Sequence, residues 1–193
     1  EWKELTLWGL NETTDEGNPV GWDVAESSGI LLGLGEVEPS EGENYALFEL
    51  SPNGWQNAVQ TTNAKEVYDD WLNVYEIMVD VRVEETFGGS WLNFQLVLHS
   101  GLPDEEDVWD AYGEMGISDA KEEWRTLLWV VDMSKHEYGL SDPPEDNPDE
   151  EGHWFNLSFT TNQPGEFGGN FVFFDNVRLV VPADTPVPNW ELY

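Results

Sequence analysis

An alternation with a period of two runs through this sequence and constrains its fold more than any other feature. Ile77, Val79, Val81 and Val83 alternate with Met78, Asp80 and Arg82. Leu92, Phe94, Leu96 and Leu98 alternate with Trp91, Asn93, Gln95, Val97 and His99, and Phe155, Leu157 and Phe159 with Trp154, Asn156, Ser158 and Thr160. Successive side chains leave a strand on opposite sides, so this period belongs to half-buried antiparallel strands. Further strands are expected near 2–9, 29–35, 44–51, 55–61, 125–132 and 171–181. Only Ser118–Trp124, with Ser118 placed to cap and Lys121 and Glu122 following, suggests a short helix. About nine strands joined by long acidic loops point to an all-β fold, an antiparallel β-sandwich of jelly-roll type.

The 193 residues suit one sandwich with a real core. Residues 1–181 are expected to form that single domain, and Pro182–Tyr193, with three prolines, an extended tail. Residues 100–123 (with Asp104, Glu105, Glu106 and Asp107) and 138–153 read as surface loops. The second loop is too rich in carboxylates and proline to bury a core, so it should lie exposed. Trp2, Leu5, Leu7 and Trp8 at one end, and Val187, Trp190, Leu192 and Tyr193 at the other, are unusually apolar for termini.

Charge narrows the partners. Seven Lys and Arg against 40 Asp and Glu give a formal net charge of −33. Such a surface repels phosphate backbones and anionic lipid, which excludes nucleic acid and membrane insertion as partners. Self-repulsion on this scale calls for screening by high salt or for Ca²⁺ held in acidic loops. Low hydrophobicity with high charge can signal disorder, but 11 Trp among 13% aromatic residues argue for a packed domain. Without cysteine there is no disulfide framework and no Cys-based metal site. The opening residue Glu1 fits a processed or excised chain, and the acidic surface an extracellular, cation-rich setting.

With the Leu, Phe and Val faces turned inward, the opposite faces can be read off. They present Trp91, Asn93, Gln95 and His99 from one strand, and Trp154, Asn156, Ser158 and Thr160 from another. Arg82 and Arg178 are expected on the same face. Flat rings beside planar amides, imidazole and guanidinium are what a sugar-binding face requires, because a pyranose stacks its C–H face on Trp while its hydroxyls pair with planar groups. A plainer reading stands beside this one: every antiparallel sheet has a polar face, and scarce cations in an acidic chain pair with Asp80 or Glu76.

The run FVFFDNVRL at 171–179 resembles the last strand of the jelly-roll carbohydrate-binding modules. Glu41-Gly42 through Leu50, then Asn53-Gly54-Trp55-Gln56, resemble an early strand of that family, and Gly89–Ser100 and Gly152–Asn162 its middle and penultimate strands. The resemblance implies a non-catalytic, extracellular module that binds a polysaccharide or surface glycan on its concave sheet or loop tips. It also implies a structural Ca²⁺, with Asp175 as a ligand and Glu12 and Glu43 as candidates for the rest. Jelly rolls of this kind also build filaments and surface layers, so copies of itself are a second class of partner.

Enzyme signals are weak. Forty carboxylates guarantee some pair at glycosidase spacing, His99, His136 and His153 lack metalloprotease spacing, and no Gly-x-Ser-x-Gly elbow occurs. Two sequons, Asn11-Glu12-Thr13 and Asn156-Leu157-Ser158, could carry glycans, and a glycan on Asn156 would obstruct the proposed face.

Overall fold

The computed structural model describes residues 1–184 apart from 9, 11, 13, 15–17, 26–29, 33–36, 63, 104 and 105. Two antiparallel six-stranded sheets pack face to face, as the alternation requires. The first sheet runs β10 (Arg125–Val130), β6 (Glu76–Val83), β12 (Phe171–Pro182), β4 (Ala46–Glu49), β3 (Ile30–Leu32), with β1 (Trp2–Trp8) also paired to β12. The second runs β2 (Trp22–Val24), β5 (Trp55–Thr61), β11 (Phe155–Asn162), β7 (Asn93–Gly101), β8 (Asp107–Ala111), with β9 (Met115–Gly116) against β7. Two four-residue helices, α1 (Ala64–Val67) and α2 (Glu137–Leu140), lie in the connections.

An aromatic stack joins the sheets. Trp22 lies 5.3 Å from Phe159 at 15° and edge-on to Phe174, while Phe94 and Phe159 are 5.0 Å apart. All four are buried, together with Phe48, Val79, Val81, Leu96 and Leu157. Offset and edge-to-face rings add to their area burial, so this stack anchors even the three-residue β2.

β12 is the longest strand. It pairs with β6 along one side, and on the other with β4 through Phe174 and then with β1 from Val177. The changeover falls at a bulge between Asp175 and Arg178, where Asn176 takes φ +51°. Asn is among the few side chains that tolerate this left-handed conformation.

Two expectations need correction. Ser118–Trp124 forms turns rather than a helix, because Ala120 accepts a backbone bond from Val83 at 2.7 Å and is drawn to the end of β6. Residues 100–123 are not a loop throughout, since they hold β8 and β9. In 138–153, α2 takes up Tyr138–Leu140, and Asp142, Glu145, Asp146, Asp149 and Glu151 are exposed. That segment is stitched to the body by Lys65, which reaches Asp142 at 3.2 Å, and by the Tyr138 hydroxyl, which donates to Glu150 at 2.7 Å. The terminal run with Val187, Trp190, Leu192 and Tyr193 lies outside the described residues, as does Asn11.

Candidate functional site: the outer face of the second sheet

Strand register assembles one face from six strands. Reading outward-facing residues across the sheet, Trp109 lies opposite His99 and His99 opposite Asn156. The next row is Ala111, Val97, Ser158, Gln60 and Asp23, and the one after it Gln95, Thr160 and Asn57. Gly116, Asn93, Asn162 and Trp55 close the far end. From the row of Asn93 to the row of His99 is six residues, about 20 Å of strand.

Both ends are aromatic. At one end the His99 ring stands between Trp109, 5.0 Å away, and Trp154, 4.7 Å away, both edge-on. His99 Nε2 lies 2.8 Å from Asp107 Oδ2, which fixes the imidazole plane between the two indoles. Gly101 makes this possible, since a Cβ there would run into the Trp154 indole nitrogen and the Gly152 carbonyl. At the other end Trp55 is 47% exposed and Trp91, two residues before β7, is 41% exposed, while Trp109 is 44% exposed. Gly54 turns the chain into β5 with φ +88°, a conformation open to glycine, and a Cβ there would strike the Gln163 carbonyl.

Between these ends the floor is mixed: Val97, Ser158 and Thr160 are buried, and the polar side chains around them are largely preset. Gln95 donates to the Tyr112 carbonyl at 2.5 Å and accepts from the Thr160 hydroxyl at 3.1 Å. Asn93 donates to Glu114 at 2.7 Å. With its amide turned to match its neighbours, Asn156 donates to the carbonyls of Phe155 and Thr61, both at 3.1 Å. The Ser158 hydroxyl is buried and lacks a hydrogen-bond partner among the described residues, so one donor-acceptor group on this face is unused.

Of the eight residues named for the face, Asn93, Gln95, His99 and Asn156 therefore belong to one sheet, and Trp91 and Trp154 lie just before its strands β7 and β11. Trp91 and Trp154 lie at opposite ends and do not form one platform. Arg82 and Arg178 are on β6 and β12 of the other sheet, so the expected shared face is corrected. Alternation tells in from out, but each sheet of a sandwich has its own outside. Arg178 takes the plainer role: it donates to Asp80 at 2.7 Å and lies 3.5 Å from Glu4. Arg82 donates to the Lys121 carbonyl at 3.0 Å. Trp55 and Trp109 were not assigned to the face from sequence.

The expected calcium ligands can be tested on their donor set. Asp175 is fully buried, and its Oδ2 accepts from Ser40 N, Glu41 N and the Ser40 hydroxyl at 2.9–3.0 Å, its Oδ1 from Asn176 N at 2.7 Å. Beside it Asp80 accepts from Thr126, Asn176 and Arg178 at 2.6–3.0 Å. The Ser40 hydroxyl sits 3.0 Å from both carboxylates and can give its one proton to either. Burial pushes Asp175 up to about 6, against the pull of its donors. A carboxylate ringed by N–H groups presents positive dipoles where a cation would need oxygen lone pairs. Glu12 and Glu43 are exposed, and among the described residues no three His, Asp or Glu side chains group as a metal site. This arrangement does not fit Ca²⁺ at Asp175.

A Ser–His–Asp arrangement occurs on the core side of β7. Ser100 Oγ is 2.8 Å from His136 Nδ1, and His136 Nε2 is 3.9 Å from Asp110 Oδ2. Ser100 and His136 have no exposed surface, so no substrate could reach this hydroxyl.

The fold is that of the jelly-roll carbohydrate-binding modules. Three solved structures carry the likeness. The xylan-binding CBM22-1 domain of Xyn10C from Paenibacillus barcinonensis matches at a TM-score of 0.54 and 11% identity, over 90% of each chain. The C-terminal family 22 carbohydrate-binding module of Xyn10B from Clostridium thermocellum matches at 0.55 and 17%, over 93% of this chain and 96% of that one. CBM27-1 of Caldicellulosiruptor saccharolyticus, solved with mannohexaose, matches at 0.55 and 13%, over 92% and 96%. No family model and no curated protein matches the sequence. No helix among the described residues is long and apolar enough to cross a membrane.

Proposed function

We propose that this chain is a non-catalytic, extracellular polysaccharide-binding module. A neutral glycan chain would lie along the outer face of the second sheet. The observation that carries the reading is a strip of sheet about 20 Å long that presents Asn93, Gln95 and His99 and has exposed tryptophans at both ends, Trp55 and Trp91 at one and Trp109 at the other. An indole exposed to water on so acidic a surface has most to gain from the C–H face of a pyranose, and the strip between spans several sugar units. Asp23 and Asp107 on the face and Glu114 at its rim disfavour uronate or sulfate groups. The three neighbours support the choice of ligand class: one is described as xylan-binding and another was solved with mannohexaose.

Calorimetric titration with neutral xylan and mannan oligosaccharides tests this. Binding should weaken by about 1–2 kcal/mol in Trp55→Ala and in Trp109→Ala, with unchanged thermal midpoints. Trp2→Ala, on the outer face of the other sheet, should bind as the parent does. Failure to bind any polysaccharide, or equal losses from all three variants, would overturn the assignment.

A further inference from the structure

β10 is an open edge of the first sheet. Its partner is β6, with Arg125 opposite Val81 and Val130 opposite Glu76. The Val131 N–H donates to the Tyr75 carbonyl at 3.0 Å, and this fixes the phase of the ladder: odd-numbered residues bond to β6 and even-numbered ones face away. The N–H and C=O groups of Thr126, Leu128 and Val130 thus point outward, and none has a backbone partner among the described residues. The contacts made nearby come from side chains, Trp129 to the Gly113 carbonyl and Arg125 to the Gly116 carbonyl.

Edges are ordinarily blunted by charge, by shortness or by proline. Elsewhere this protein follows the rule. β2 and β3 are three residues long, β8 carries Asp107 and Asp110, and β1 carries Lys3 and Glu4. In β10 the sequence is RTLLWV, with no carboxylate in a chain that has 40. Leu128 and Val130 are 39% and 53% exposed on its outer side.

We propose that β10 pairs with β10 of a second copy of this chain, antiparallel about a two-fold axis through Leu128. The outward set is symmetric about that residue: Leu128 falls opposite Leu128, and Thr126 opposite Val130. Each of these three pairs can exchange two backbone bonds, and the exposed Leu and Val side chains are covered together. The ends match in charge as well. Antiparallel pairing brings Arg125 of one copy to Val131 of the other, beside Asp132. Asp132 is an anion there, held below the usual carboxylate range by the hydroxyl and N–H of Ser134. Arg125 already pairs with Asp119 at 2.8 Å and would gain a second acidic neighbour. Against this stands the −33 charge on each copy, so the dimer forms where salt screens the repulsion.

Sedimentation equilibrium of the full chain in about 0.1 M and about 3 M KCl reads the outcome directly. The parent should be monomeric in low salt and dimeric in high salt. Leu128→Pro removes an N–H that β6 does not use, as edge strands tolerate, and should weaken dimerisation about tenfold or more. Leu128→Glu keeps the N–H, sets two carboxylates face to face on the axis, and should do the same. Leu31→Glu makes the same charge change on β3, at another edge of that sheet, and should dimerise like the parent. Far-UV circular dichroism checks that each variant is folded. A parent that stays monomeric in high salt overturns the proposal, as does a dimer that survives Leu128→Glu or is lost equally in Leu31→Glu.

Discussion

His136 shows what burial does to a single residue. It has no exposed surface, and desolvation drives its pKa from 6.5 to about 4 despite the nearby Asp110. It is therefore neutral in the fold, while the unfolded chain takes up a proton below 6.5. Stability from this residue is complete above 6.5 and is lost as the pH falls toward 4, by on the order of 3 kcal/mol for a shift of this size. Carboxylate titration contributes in the same range but is shared by a variant. The difference in urea midpoint between the parent and His136→Gln should therefore move against the parent from pH 7 to pH 4.5, and parallel curves would refute the account. Asp175 gives a second test at this scale. Its oxygens already accept from four donors, so thermal midpoints in EDTA and in millimolar Ca²⁺ at matched ionic strength should coincide. A rise confined to Ca²⁺ would place an ion in the chain and reopen the residue's role.

At the scale of elements, most strands are legible in sequence: β1, β3, β4, β5 and β10 lie within the spans expected for them, β12 runs one residue past its own, and only β2, β8 and β9 escape. β6, β7 and β11 fall where the alternation puts them, and the inward and outward faces of β7 and β11 are as read. Sheet membership was not legible, because it depends on which strands pair, and that is why Arg82 and Arg178 were misplaced. β8 escaped for a different reason. Its outward set is Asp107, Trp109 and Ala111, but its inward set includes Asp110, which survives there because Lys135 lies 2.9 Å and 3.0 Å from its two oxygens. A charge on both faces erases the period-two signal, and Trp109 was lost with the strand. β2 is too short to show a period, although Trp22 is the centre of the aromatic stack. The turn-forming residues 118–124 carried a plausible cap, but a backbone bond from Val83 outweighed local propensity.

At the scale of the whole molecule, charge dominates. A net charge of −33 repels itself in the folded state more than in the expanded chain. Raising NaCl from about 0.1 M to about 1 M shortens the screening length from about 10 Å to about 3 Å, so the thermal midpoint should climb over that range. A midpoint indifferent to salt would mean that the carboxylates are spaced widely enough to ignore one another. The pairing of β1 with the end of β12 has a further, mechanical consequence. Trp2 lies opposite Pro182, and the Ala183 N–H donates to the Glu1 carbonyl at 3.0 Å, so the two ends of the described chain sit side by side. A pull applied through both ends loads one hydrogen bond at a time, from Trp2 toward Trp8, and peels β1 away like a zipper. Two strands drawn past each other along their length would instead share the load across every bond. Under tension this sandwich opens from its N-terminal strand, while the second sheet and its tryptophans still hold their places.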